Sequence, residues 1–125
     1  MEDPIKMTEQ GIREMKEDLE KALEALAQIK AMAIRAKNDK AKKQASADDY
    51  ATKAVLLLTK AQKGELPMDQ AEKLAREALA LKEALIIEVD ALEVQQVTHE
   101  NASDEIKKNI DILKFNITKW ENELK

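Results

Sequence analysis

The chain has 125 residues, 37% of them charged and 2% aromatic, with two Gly, two Pro, no Cys and a net charge of -4. So few aromatics exclude a conventional globular core, the lack of cysteine excludes disulfides and thiolate metal sites, and the negative balance argues against general nucleic-acid binding. No apolar run reaches transmembrane length and no leading segment has the organisation of a secretory signal, so the expectation is a soluble, cytoplasmic protein. What remains is the Ala, Glu, Lys, Leu and Arg bias of long coiled-coil helices.

Glu2-Asp3-Pro4 reads as a helix start, with Asp3 capping free N–H groups and Pro4 at the first helical position. From there a seam with alternating steps of three and four runs through Ile5, Thr8, Ile12, Met15, Leu19, Ala22, Leu26, Ile29, Ala33 and Ala36. It weakens at Lys40 and Lys43 and recovers at Ala47, Tyr50, Ala54, Leu57 and Ala61. Helix 1 is therefore placed at about residues 3–62. At about 1.5 Å per residue such an arm is roughly 90 Å long and needs a partner along its whole length to stay ordered. Gly11 is its weak point, costing about 1 kcal/mol against Ala.

Gly64 and Pro67 are the only Gly and Pro after residue 12. Gly64 suits the left-handed position that closes a helix, with Lys60 and Lys63 beside the carbonyl end of the dipole. Pro67 is read as the first residue of a second helix, with Asp69 and Glu72 near its free N–H groups. These signals predict an all-α fold: two long helices in an antiparallel coiled-coil hairpin turning at about residues 62–68, with 63–67 as the turn.

Helix 2, placed at about 68–125, carries Ala71, Leu74, Ala78, Leu81, Leu85 and Leu92, then Ile106, Leu113 and Trp120 in the same sevenfold phase. Ile110, Ile117 and Leu124 supply companion positions shifted by one from Leu74 and Leu81, which predicts a local change of supercoil between Glu88 and Ser103. The polar stretch 95–105, with Ser103 as a candidate internal N-cap, leaves a kink at 97–104 as an alternative to one continuous helix. In a hairpin closed at Gly64, facing residues have numbers that add to about 131. That register pairs Leu57 with Leu74, Tyr50 with Leu81, Leu26 with Ile106, Leu19 with Leu113 and Ile12 with Trp120. It also sets Lys43 against Glu88 as an interhelical ion pair. More broadly, Lys30, Arg35, Lys37, Lys40, Lys42 and Lys43 stand at the level of Glu88, Asp90, Glu93 and Glu100. Blocks of opposite sign set register and orientation more than stability, since exposed pairs contribute about 0–1 kcal/mol each.

The chain offers little chemistry. His99 is the lone histidine, and Gln96 stands where a helical di-metal motif wants Glu, so His99 is read as a polar seam residue near Ala33. Asp48 and Asp49 point about 100° apart on a helix and do not form a facing acid–base pair. With glycine only at 11 and 64, no phosphate-binding loop or nucleophile elbow exists. No catalytic, cofactor-binding or metal residue is assigned, and an enzyme is not expected.

The segments Glu2-Asp3-Pro4, Glu9-Gln10-Gly11-Ile12-Arg13-Glu14-Met15-Lys16-Glu17-Asp18-Leu19, Lys60-Ala61-Gln62-Lys63-Gly64-Glu65, Ala75-Arg76-Glu77-Ala78-Leu79 and Trp120-Glu121-Asn122-Glu123-Leu124-Lys125 resemble the hairpin of the phage shock protein A family. That family includes the vesicle-inducing protein in plastids. The resemblance covers essentially the whole chain. It implies a bacterial, ESCRT-III-like peripheral membrane protein, cytoplasmic and located at the inner membrane, that forms large homo-oligomers and supports membrane integrity under stress. It also implies contact with an anionic membrane surface through segments outside this hairpin, and with an AAA+ transcription activator as a partner. On this view the chain is a segment of a longer protein, and no catalytic residue carries over. The alternative is a helical arm that binds RNA, resembling the N-terminal coiled coil of seryl-tRNA synthetases, with Lys30 to Lys43 on the phosphates.

Overall fold

The computed structural model describes the backbone of residues 4–124 and side chains from Glu9 to Leu124. Two helices account for nearly all of it: α1, Pro4–Gln62, and α2, Met68–Leu124, packed against each other as an antiparallel hairpin without strands among the described residues. The expectations placed on Asp3, and on the side chains of Ile5 and Thr8, lie outside the described residues. Helix α2 runs without a break through 97–104.

The turn shows how a few backbone groups end one helix and begin another. Gly64 adopts φ +78°, its N–H donates to the Ala61 carbonyl at 3.1 Å, and the Glu65 N–H donates to the Lys60 carbonyl at 2.9 Å. This is the pair of crossed bonds of a Schellman closure, which satisfies two carbonyls that α1 would leave unpaired. A Cβ at Gly64 would meet nothing within 4 Å, so the preference for glycine is set by the backbone conformation and not by space. Pro67 departs from its expected place by one residue. Its carbonyl accepts the first bond of α2, from the Ala71 N–H at 3.0 Å, which makes it the capping residue and Met68 the first helical one. A residue with no N–H is equally harmless at either position.

The chain divides into two units, one of Ile34–Gln96 around the turn and one made from the stretch up to Ala33 with that from Val97 onward. In the turn unit the seam is built on alanine: Ala36, Ala47, Ala54, Ala71, Ala75 and Ala78 are all buried. Ala54, Ala75 and Ala78 form one cluster with Tyr50 packed against it. A side chain as short as alanine is fully covered only where the two backbones come close, so small seam residues set a short interaxial distance here. In the other unit the buried residues are larger, Ile12, Ile110 and Ile117, with Ser103 among them.

On α1 every third and fourth residue from Ile12 to Ala61 is buried or half-buried, including Lys40 and Lys43. On α2 the inward rhythm is Ala71, Ala75, Ala78, Lys82, Leu85, Val89, Leu92 and Gln96, then His99, Ser103, Ile106, Ile110, Leu113 and Ile117. The column through Ala75, Lys82, Val89, Gln96 and Ser103 leads directly to Ile110 and Ile117, so the change of phase expected between Glu88 and Ser103 is not needed. The error came from choosing Leu74 and Leu81 over Ala75 and Lys82 on hydrophobicity alone. Leu81 is 50% exposed, and Lys82 takes the half-buried place, laying its apolar stem along the seam. Tyr50 accordingly packs against the alanine cluster and not on Leu81. Trp120 is also corrected: it is exposed, while Glu121 is half-buried. Glu121 follows Ile117 at a step of four and pairs with Lys16 across the hairpin.

Candidate functional site

Ile12 is buried, and Leu19, Leu26, Tyr50, Leu57, Leu74, Leu85, Ile106 and Leu113 are half-buried. They lie on the inward stripe of the two helices. Chemistry available to a partner therefore lies on the outward faces, as charge and as exposed apolar side chains.

In the turn unit two lysines cross between the helices. Lys43 Nζ stands 3.0 Å from Glu88 Oε2, and Lys40 pairs with Glu93. In the other unit Lys16 Nζ is 2.7 Å from Glu121 Oε1. All of these carboxylates remain substantially in water, so screening limits each pair to about 0–1 kcal/mol. The basic block is thus divided. Lys40 and Lys43 are half-buried and used within the hairpin, whereas Arg35, Lys37 and Lys42 are exposed and take part in no ion pair among the described residues.

The outward faces also carry apolar side chains that a two-helix hairpin does not cover. On α2 these include Ile87, 70% exposed, and Val94, 66% exposed; on α1 they include Ile34, 59% exposed, and Val55. Reading only the inward seam misses them. The signal for them was present in the sequence, as a second run of apolar residues at heptad spacing half a turn away from the first. Phe115 and Ile112 are exposed on the other unit's α2 face, and Lys119 Nζ sits 5.5 Å from the Trp120 ring centre.

Among the described residues no group of three or more His, Cys, Asp or Glu side chains is placed to hold a metal ion. His99 is half-buried in the α2 seam, and Asp48 accepts a hydrogen bond from Gln44 Nε2 at 3.1 Å while lying exposed beside Asp49. No described helix is long and apolar enough to cross a membrane.

Comparison with known proteins gives the family. Residues 1–125 match the PspA/IM30 family from end to end. The chain belongs to the PspA/IM30 family. Among its relatives is the chloroplastic membrane-associated protein VIPP1 of Arabidopsis thaliana, 33% identical over 116 residues, which cover 93% of this chain and 32% of that protein. The VIPP1 of Oryza sativa subsp. japonica is 35% identical over 117 residues, 93% of this chain and 34% of the relative. This PspA/IM30 chain therefore spans about a third of the length of the curated relatives it matches. The matched residues take in both helices and the turn.

Proposed function

We propose that this hairpin is a non-enzymatic structural and interaction module of a peripheral membrane protein that assembles with copies of itself and supports membrane integrity or a stress response. The observation that carries the reading is the family match over residues 1–125, on a chain whose described residues present charge and apolar area on the outward faces of long helices. The name of the VIPP1 relatives, a membrane-associated protein, supports the membrane part of it. In this reading the protein is bacterial and cytoplasmic, and it sits at the inner membrane. The hairpin is the scaffold, and segments of the full-length protein outside it touch the anionic lipid surface. An AAA+ transcription activator is a further partner by the same family argument.

The deciding experiment is flotation with anionic vesicles, comparing the hairpin with the full-length protein at low and moderate salt. Flotation of the full-length protein alone is the expected result. Flotation of the isolated hairpin, released by salt, would instead make the basic block of α1 a lipid contact and remove the scaffold assignment. The alternative is an RNA-binding arm with Lys30 to Lys43 on the phosphates, although Lys40 and Lys43 pair with Glu93 and Glu88. RNA binding by the hairpin that the Lys37→Glu, Lys40→Glu double change abolished would favour it.

A further inference from the structure

Between Ala36 and Ala47 the inward stripe of α1 changes character. Both alanines are buried, but of the residues between them only Asp39, Lys40 and Lys43 are even half-buried, and all of these are charged. The crossing pairs Lys40–Glu93 and Lys43–Glu88 fix which part of α2 lies at this level. There Leu85, Ile86, Val89 and Leu92 are half-buried, and no residue from Leu79 to Gln96 is fully buried. The inward side of α2 is thus apolar here, while that of α1 offers only the stems of charged residues. Water is excluded from this stretch less completely than from the cluster of Ala54, Ala75 and Ala78 in the same unit.

The same stretch of α1 is weak as a helix. Asn38, Asp39 and Ser46 are poor helix formers, and Lys37, Lys40 and Lys43 repeat like charge at steps of three. A segment of low propensity keeps its helical hydrogen bonds mainly through packing, and the packing here is poor. The ion pairs that close it have exposed carboxylates, which salt screens. We infer that residues 37–46 of α1 and 85–93 of α2 form a segment that opens and recloses locally while the alanine-packed turn end stays shut, and that ionic strength sets how often it opens. Opening releases Lys40 and Lys43 from their carboxylates and uncovers Leu85, Val89 and Leu92. The surface that the hairpin presents therefore changes without global unfolding.

Hydrogen–deuterium exchange of the full-length protein tests this, read by mass spectrometry on peptides from 37–46 and 85–93 against peptides from 50–57 and 71–78. The expected result is exchange about tenfold faster or more in the first set, rising a further few-fold from low to moderate salt while the second set stays constant. Lys40→Leu with Lys43→Leu should slow exchange in both stretches of the first set by about tenfold, because apolar side chains then replace screened charges in the seam. Glu88→Gln with Glu93→Gln should instead speed it a few-fold and abolish its salt dependence. Circular dichroism would verify that both variants keep their helix content. Uniform exchange across the turn unit would overturn the inference, and so would fast exchange in 37–46 and 85–93 that salt does not change. Fast exchange there that neither pair of substitutions alters would overturn it as well, since charge in the seam would then not be the cause.

Discussion

Gly64 is the residue at which one atom makes the largest difference. Its φ of +78° lies in the left-handed region, where a side chain on Cβ crowds the following carbonyl oxygen at a cost of roughly 1–2 kcal/mol. Since nothing stands within 4 Å of the place a Cβ would take, Gly64→Ala should lose about that amount and no more. Urea titration of the hairpin would check this; a loss well beyond that range would mean that the turn is sterically tight as well as strained. Gly64 was readable because the left-handed requirement is local. Leu81 and Lys82 were not, because burial depends on which side the partner helix lies, and hydrophobicity ranks a leucine above a lysine even where the lysine stem fits the seam.

At the scale of the element, most of each helix's order comes from packing one continuous inward stripe and not from propensity. Leu57 and Leu74 sit half-buried on facing helices at the turn-proximal end. Leu57→Asp or Leu74→Asp should each cost roughly 2 kcal/mol or more, because a carboxylate placed in the seam loses hydration without gaining a partner. Lys21→Ala, on an exposed α1 position, should stay within about 0.5 kcal/mol of the parent. Thermal melts that ranked these changes in the opposite order would defeat the seam assignment. The α1 stripe was legible in full from Ile12 to Ala61, since alternating steps of three and four survive even through Lys40 and Lys43. The α2 stripe was legible only in one of its two columns. The other is made of Ala75, Lys82, Gln96 and Ser103, whose character does not declare burial, and its one unambiguous apolar member before Ile110, Val89, is too isolated to mark a column.

For the molecule as a whole, the opposite charge blocks of α1 and α2 choose register and orientation while contributing little to stability. Lys16–Glu121, Lys40–Glu93 and Lys43–Glu88 all have a carboxylate well exposed to water, where salt screens the attraction. Raising the salt from low to moderate should therefore move the unfolding free energy by no more than about 1 kcal/mol per pair. A much larger salt dependence, read from denaturant titrations at several ionic strengths, would show that these pairs hold the hairpin closed. Arg35, Lys37 and Lys42 on α1 and Glu83 and Asp90 on α2 are exposed and take part in no ion pair among the described residues.

The sequence by itself determined the class of the fold, the turn at Gly64, the continuous α1 seam and the family, because all of these follow from local backbone chemistry, periodic spacing or direct likeness. The tertiary structure alone decided which alanines carry the turn-proximal core, that Leu81 and Trp120 face outward, and which lysines are consumed within the hairpin. The reason is geometric. A heptad pattern says that one face of a helix is covered, but the depth of each position on that face depends on how closely the second backbone approaches and how far the helix has drifted from the ideal repeat.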